Sequence, residues 1–260
     1  MIEVQQLTKA YKGHFGSETV AVDGISFTVQ GGEIYGLLGP NGAGKTTTLR
    51  MLSTMLQPTS GDAILDGYSV KEKPEEVRKR IGFVSGTTGV YDRMTAWELV
   101  EYFGQLHQIE PKLLKSRMEA LFERLSMQEI RNRLCAKMST GMKQKVSIAR
   151  ALVHDPPILI FDEATAGLDV MVARNLLEII SELRDQGKCI VFSTHIMPEA
   201  ELLCHRVGIL YHGHLLEEGT LEDLSEKYGD ARLNEIFFQI VRHYEETELQ
   251  NRSTSTNSTE

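Results

Sequence analysis

The sequence has no apolar run near the ~18 residues that a membrane-spanning helix needs, so no transmembrane segment is expected. Cysteine is scarce: Cys135, Cys189 and Cys204 are widely spaced and form no CxxC pair. This argues against a zinc site or a disulfide framework and favours a reduced, cytosolic interior. The N-terminal stretch MIEVQQLTKAYK shows no basic segment followed by an apolar one, so no secretory signal is expected.

Basic charge is also in deficit. The chain has 28 Lys and Arg against 36 Asp and Glu, which gives a net charge of −8. Nucleic-acid-binding proteins usually carry a basic excess, and anionic lipids attract polybasic segments. We therefore expect no nucleic-acid partner and no direct capture by a lipid surface, and the charge is explained by solubility alone.

Apolar residues recur with the period of strands in some segments and of helices in others. Alternation over residues 25–29 is typical of a half-buried strand, and residues 45–56 carry leucines at helical spacing. From about residue 90 to 155 the pattern is helical, and Thr95 and Glu98 form a capping box. Short apolar runs predict further strands at 33–38, 158–161, 189–193 and 207–211. This alternation around a helical block predicts an α/β core with an inserted helical subdomain.

The C-terminal part carries one apolar helical stripe. Its members are Leu233, Ile236, Phe237, Ile240 and Tyr244. Such a stripe favours packing against a core over a site for a partner. Residues 245–260 have little apolar surface, so a disordered tail is predicted there.

A glycine-rich segment, GPNGAGKT at residues 39–46, fits the pattern G-x-x-x-x-G-K-[ST]. Its glycines allow the backbone to approach a ligand, and successive N–H groups at the start of the next helix form an anion site. Lys45 would then contact the β- and γ-phosphates, and Thr46 would offer a hydroxyl to Mg²⁺. The alternative is a plain glycine-rich turn with a solvated lysine. The predicted strand before the loop and helix after it favour binding of a nucleoside triphosphate.

A second segment, ILIFDE at residues 158–163, ends a predicted buried strand with two carboxylates. Ligands of open α/β sheets bind at this edge. Asp162 is expected to hold the Mg²⁺ shell, and Glu163 to orient and activate water. Neighbouring strand residues point to opposite sides, so different roles are expected for the two acids. A solvated acidic turn is the alternative.

Four segments, in this order, resemble the ATP-binding subunits of ABC transporters: GPNGAGKT, STGMKQKVSIARAL, ILIFDEATAGLD and VFSTH. The resemblance runs from residue 2 to about 220 and is nearest to the branch of sodium and drug exporters. It implies a P-loop NTPase with a RecA-like core and an N-terminal antiparallel β subdomain over 1–89 and 156–219. A helical signature subdomain would occupy 90–155, and a C-terminal helical extension 220–244.

The resemblance implies that two copies face each other head to tail around two molecules of MgATP. The segment MSTGMKQK at residues 138–145 would be the signature loop, which closes on the ATP of the other copy through Ser139 and Gly141. Taken without the family, the same segment is the start of an ordinary capped helix.

Three further residues take roles from the resemblance. Tyr11 matches the aromatic residue that stacks on adenine, His195 the histidine that contacts the γ-phosphate, and Asp169 the loop that signals between the two sites. Each also has a plain structural explanation: a packed surface tyrosine, a structural histidine and a helix N-cap.

The expected site combines catalytic residues with nucleotide and metal ligands. Catalysis is assigned to Lys45, Glu163 and His195, and the metal to Thr46 and Asp162. Contacts to the nucleotide are assigned to Tyr11, Gly39, Pro40, Asn41, Gly42, Ala43, Gly44, Lys45, Thr46, Thr47, Ser139, Gly141 and Asp169.

Two positions depart from the family pattern. Gly86 stands after IGFVS, where the family usually has a glutamine that touches Mg²⁺ and reports to the membrane subunit. The signature loop has Thr140 and Met142 in place of its common Gly and Gln. Metal affinity or coupling is therefore expected to differ from the common form.

The resemblance implies an ATPase that drives export through a separate integral membrane permease, works as a homodimer with ATP bound, and acts at the cytoplasmic face of the membrane. The alternative is a soluble ABC-type ATPase that acts on DNA or ribosomes. Relatives of that kind carry a long coiled-coil insertion or two P-loops in one chain, and this sequence shows neither.

Overall fold

The computed structural model describes residues 1–12, 17–86, 89–229 and 232–256. The strands in these ranges are β1 (Ile2–Lys12), β2 (Glu18–Val29), β3 (Ile34–Leu38), β4 (Ser60–Leu65), β5 (Tyr68–Ser69), β6 (Ile81–Ser85), β7 (Ile158–Asp162), β8 (Cys189–Thr194), β9 (Arg206–Tyr211) and β10 (His214–Thr220). The helices are α1 (Lys45–Leu52), α2 (Pro74–Arg80), α3 (Ala96–Leu106), α4 (Pro111–Arg124), α5 (Thr140–Leu152), α6 (Val170–Asp185), α7 (Met197–Leu203), α8 (Leu221–Tyr228) and α9 (Leu233–Thr256).

The strands form two sheets. One is antiparallel with the order β2-β1-β4-β5. The other has the order β10-β9-β3-β8-β7-β6, in which β10 is antiparallel to β9 and the neighbouring pairs from β9 to β6 are parallel. The predicted α/β class with an N-terminal antiparallel sheet is confirmed. The loops after β3, β7 and β8 leave the same edge of the parallel sheet, because these three strands are adjacent.

The helix that follows β3 is fixed between the two sheets. Leu49, Met51 and Leu52 of α1 are fully buried in a cluster that also contains Val4 of β1 and Val191 of β8. Burial of such side chains stabilises the fold by roughly 1.5–3 kcal/mol each. The N-terminus of α1 is therefore held in a defined position at the edge of the parallel sheet.

Helices α3, α4 and α5 fall within the block for which the sequence predicts a helical subdomain. Thr95 and Glu98 form the predicted capping box of α3, and Ser139 is the N-cap of α5. Buried residues of this block, including Met118 and Val146, share one cluster with Phe161 of β7. The division of the chain into a core and a helical subdomain stays a prediction.

The C-terminal part differs from its prediction beyond residue 244. Leu233, Ile236 and Ile240 are buried, so the apolar stripe packs against the core as predicted. In the structure α9 continues through residues 245–256 to Thr256, where the sequence pattern predicts a disordered tail. Glutamate, leucine and glutamine are good helix formers, and the hydroxyl of Tyr211 donates to Glu245 at 2.6 Å. Residues 257–260 lie outside the described residues.

None of the helices described in the structure is long and apolar enough to cross a bilayer.

Candidate functional site

The loop between β3 and α1 has a backbone path that requires glycine. Gly44 has a φ of +111°, and a Cβ at this position would lie 2.6 Å from the carbonyl oxygen of Ala21. A Cβ on Gly39 would lie 2.1 Å from the carbonyl oxygen of Leu210. Helix α1 begins after Gly44 with neither a side-chain cap nor an acidic residue in its first turn. Its first N–H groups can therefore bind an anion.

A cleft of about 240 Å³ opens above this loop. It is lined by Ala21, Asn41, Gly42, Gly44, Lys45, Thr46, Thr47 and Glu163. Six of the residues predicted to contact the nucleotide thus line one cleft together with Glu163. Backbone amides and a lysine opposite a carboxylate are suited to a phosphate group beside a water molecule.

Lys45 is almost completely buried, with 4% of its surface exposed. Its ammonium donates to the carbonyl oxygens of Gly39 at 2.7 Å and Pro40 at 3.0 Å. It also forms an ion pair with Glu163, with 3.2 Å between Nζ and Oε1. The cation is therefore held inside the loop, at the place where the pattern predicts the terminal phosphates.

Asp162 ends β7 and lies against the start of α1. Its Oδ1 accepts hydrogen bonds from Thr46 Oγ1 at 3.1 Å and from Ser193 Oγ at 2.9 Å. Burial raises the pKa of Asp162 above its usual value, although these two hydrogen bonds act in the opposite direction. A cation beside this carboxylate would compensate for its burial. The two residues predicted as metal ligands are therefore in direct contact.

This pair fits a magnesium ion better than a transition metal. Hydroxyl and carboxylate oxygens are the protein ligands that Mg²⁺ prefers, and it is usually held by few of them together with substrate phosphates. Among the residues that the structure describes, His, Cys, Asp and Glu form no cluster of three or more that could hold a metal.

Glu163 has an unusual backbone conformation, with a φ of +47°. Its N–H donates to the carbonyl oxygen of Ser193 at 3.1 Å and lies 3.2 Å from the Oγ of the same residue. Its Oε1 lies 3.5 Å from Nδ1 of His195, whose side chain is 43% exposed. The structure thus brings together Lys45, Glu163 and His195, and it holds the first two rigidly.

Three other predicted residues lie elsewhere. Tyr11 is 43% exposed on β1, with the ammonium of Lys9 5.4 Å from its ring centroid. Ser139 Oγ accepts from the N–H of Met142 at 3.3 Å, as an N-cap does. Asp169 caps α6 by accepting from the N–H groups of residues 171 and 172 at 3.1 and 3.0 Å. The cap on α6 is therefore confirmed, and none of these three residues lines the 240 Å³ cleft.

The signature segment lies against the helix that Asp169 caps. A Cβ on Gly141 would lie 3.2 Å from both Cγ atoms of Val172 in the first turn of α6. Farther along α5, the buried amide of Gln144 donates to the carbonyl oxygen of Ala164 at 2.9 Å. Helix α5 therefore contacts both the start of α6 and the loop that follows Glu163.

The sequence predictions missed four residues that hold this loop. They are Gln144, Ser193, Thr194 and Glu199. Two of them belong to VFSTH, whose hydroxyl residues at the end of a buried strand were a visible signal that was used for His195 alone. Gln144 and Glu199 carry no comparable local signal, because their partners are remote in the chain.

Gly86 packs directly on the backbone of the predicted general base. Its N–H donates to the carbonyl oxygen of Asp162 at 3.1 Å. A Cβ at this position would lie 2.6 Å from the carbonyl oxygen of Glu163. The family usually has a glutamine at this position. In this chain the backbone of Glu163 leaves no room for a side chain there, which agrees with glycine at residue 86. Thr87 and Thr88 lie outside the described residues.

Several known proteins are similar to this chain over most of its length. The pattern of the family described as "ABC transporter" matches residues 22–166. The ABC transporter ATP-binding protein NatA of Bacillus subtilis is 45% identical over 224 residues, which cover 85% of this chain and 91% of that protein. The linearmycin resistance ATP-binding protein LnrL of the same organism is 33% identical over 250 residues, which cover 93% of this chain and 79% of that protein. The dimeric ATP-binding cassette MJ0796, solved with ADP and phosphate, superposes with a TM-score of 0.78 at 25% identity and covers 85% of this chain and 98% of its own.

Proposed function

Since the chain belongs to the ABC transporter family of ATP-binding, ATP-hydrolysing proteins, we propose that it is the motor subunit of an exporter. Two copies close around two molecules of MgATP, and their closing and opening act on a separate integral membrane permease. The subunit works at the cytoplasmic face of the membrane through that permease. Similarity to a protein named for linearmycin resistance supports export over import.

One observation carries this proposal. Glu163 lines the cleft of a single chain and pairs with Lys45 on one side and with His195 on the other, whereas Ser139 starts a helix outside that cleft. A helix N-terminus with a serine is an anion site that lacks an anion on its own chain. A second copy placed head to tail would provide one, in the form of the γ-phosphate in its own cleft. The cassette MJ0796, which is dimeric with ADP and phosphate, supports this arrangement.

Different residues of the site have different roles in the proposed hydrolysis of ATP. The amides of residues 39–46 and the ammonium of Lys45 bind the phosphates of ATP. Thr46 and Asp162 would hold Mg²⁺, which when bound neutralises charge on the phosphate oxygens. Glu163 accepts a proton from the attacking water, and His195 contacts the γ-phosphate and keeps that water in place. Tyr11 stacks on the adenine, and Asp169 links the two sites of the dimer.

Replacement of Glu163 by glutamine tests the proposal. The Glu163→Gln protein should dimerise when MgATP is added, because the phosphate contacts remain, and should not turn over, because an amide cannot accept the proton. Light scattering and phosphate release measure the two properties. Glu178→Gln is the matched control, since Glu178 is an exposed acid of α6 that pairs with Arg174. Hydrolysis by Glu163→Gln at the parental rate would show that another residue is the base.

The membrane partner requires a second experiment. The Glu163→Gln protein, held in its ATP-bound state, should co-purify with an integral membrane protein from the membranes of its own cell. If it instead brings down ribosomes or DNA, the motor assignment is wrong even when the dimer forms.

A further inference from the structure

A partly buried hydrogen-bonded junction joins the two loops that carry the predicted catalytic side chains. Oε2 of Glu199 accepts a hydrogen bond from Thr165 Oγ1 at 3.0 Å and another from Thr194 Oγ1 at 2.9 Å. Both threonines are buried, with 5% and 2% of their surfaces exposed. One carboxylate oxygen therefore serves as the common acceptor for two hydroxyls that lie on different loops.

Each threonine is tied to a residue of the cleft. Thr194 directly precedes His195, and its hydroxyl also accepts from the N–H of Ile196 at 3.0 Å, which closes the turn around the histidine. Thr165 lies two residues after Glu163, in a loop where the N–H of Ala166 donates to the carbonyl oxygen of Glu163 at 3.0 Å. The position of Glu199 therefore sets the distance between the two loops.

The helix that carries Glu199 is itself fixed. Met197, Ala200 and Leu203 of α7 are buried against the core. Hydrogen bonds to a charged acceptor are roughly twice as strong as those between neutral groups. A carboxylate on a rigid helix can therefore hold both loops in one arrangement.

We propose that Glu199 is a positioning residue for ATP hydrolysis, which keeps His195 against Glu163 by binding the hydroxyls of Thr194 and Thr165. This role rests on the proposed function of His195 and Glu163. Glu199 itself does not line the phosphate cleft. Its loss should thus change the rate of the chemical step and leave nucleotide binding as it is.

The test measures kcat and KM of the purified full chain with MgATP. Glu199→Ala should lower kcat by about 100-fold, the size of effect that a misplacement of about 1 Å produces, with KM unchanged. Glu199→Gln should recover most of the rate, because its amide oxygen can still accept from both threonines. Glu201→Ala is the matched control, since Glu201 lies on the same helix and accepts a hydrogen bond from the N–H of Leu233 at 2.7 Å.

A double-mutant cycle separates positioning from a general loss of structure. If Glu199 acts through His195, then Glu199→Ala should have no further effect on kcat in a His195→Ala background. An equal loss of kcat in both backgrounds would overturn the proposal, as would parental kcat in Glu199→Ala. A His195→Ala protein with parental kcat would instead overturn the proposed function of the histidine.

Thr165→Val provides a second route if Glu199→Ala does not fold. Valine keeps the shape of threonine and removes only the hydroxyl that donates to Glu199. We expect kcat to fall several-fold at an unchanged KM, since one of two hydrogen bonds is lost. Parental kcat in a folded Thr165→Val protein would show that this contact does not position the loop.

Discussion

The ammonium of Lys45 is paired with the carboxylate of Glu163, at 3.2 Å between Nζ and Oε1. Lys45 is the group expected to bind the terminal phosphates, and Glu163 the group expected to activate water. A bound phosphate and the carboxylate of Glu163 would both be anions beside the single cation of Lys45. Each would therefore weaken the attraction between Lys45 and the other. We therefore expect the binding of ATP to release Glu163 from Lys45, which would free the carboxylate for the water molecule.

From this pairing we expect Glu163→Gln to bind MgATP more tightly than the parent protein. A partly buried ion pair is worth on the order of 1 kcal/mol, so its removal should lower Kd by about fivefold. Titration with a fluorescent ATP analogue, at protein concentrations where light scattering shows only monomer, measures this change apart from dimerisation. Glu178→Gln should bind as the parent does. Unchanged or weaker binding by Glu163→Gln would contradict the competition.

Gly86→Ala should disturb Glu163, the predicted general base, from outside the cleft. The new Cβ would lie 2.6 Å from the carbonyl oxygen of Glu163, so the backbone of Glu163 must move. We expect a loss of roughly 1–3 kcal/mol in the free energy of unfolding and a fall in ATP turnover of tenfold or more. Urea denaturation and phosphate release measure the two effects.

Gly89→Ala is the control for this substitution, because a Cβ at Gly89 meets no atom of the described residues within 4 Å. It should behave as the parent protein in both measurements. If Gly86→Ala were equally silent, the close approach to Glu163 would have no consequence for the reaction.

Most of the site that the sequence predicts is local in the chain. The GPNGAGKT loop and the pair Asp162-Glu163 each follow one buried strand, so hydrophobic runs and glycine spacing were sufficient to place them. The contacts that hold these segments were not predictable in the same way. Ser193 bonds Asp162 from 31 residues away, and Glu199 bonds Thr165 across 34. A single polar residue carries no sign of a partner at such a separation.

For the fold as well, the sequence predicts only those elements that have a clear local pattern. Strands buried on both faces, such as β3 and β7, were predicted because their side chains are apolar without interruption. Strand β10 was missed because all of its residues are only partly buried and its sequence, HLLEEGT, has no clear alternation. The continuation of α9 was missed for a related reason: a low apolar content excludes a core and does not exclude a helix.

Ser139→Ala should separate the structural role of this serine from its proposed role in the dimer. Ser139 caps α5 and Thr95 caps α3, so replacement of either by alanine should cost about 1 kcal/mol of stability. Only Ser139→Ala should lose ATP-driven dimerisation and turnover, because only this hydroxyl would meet the phosphate of the other copy. Parallel urea denaturation, light scattering and phosphate release on the two variants make the comparison. Equal turnover in both would show that Ser139 is a helix cap and no more.

Two stacked histidines lie at the junction between α3, α5 and β6. The rings of His107 and His154 have centroids 3.7 Å apart, and Nε2 of His154 lies 3.0 Å from the carbonyl oxygen of Ile81. A carbonyl only accepts, so Nε2 carries the proton, and Nδ1 is buried without a partner in the described part of the chain. The pKa of His154 is lowered to about 4, mainly by burial and also by the neighbouring His107. Burial also lowers the pKa of His107.

These shifts predict a loss of stability at mildly acidic pH. Between pH 6.5 and about 4 the unfolded chain binds a proton at His154 that the folded chain does not, so the free energy of unfolding falls as the pH falls through this window. This histidine should account for roughly 1 kcal/mol of the decrease between pH 7.5 and 5.5. His154→Gln keeps an N–H for Ile81 and does not titrate, so its stability should depend less on pH over the same range. Urea denaturation at both pH values checks this against His243→Gln, an exposed histidine of α9 whose replacement should leave the parental pH dependence. An equal pH dependence in His154→Gln and in the parent would show that His154 is not the group that binds the proton.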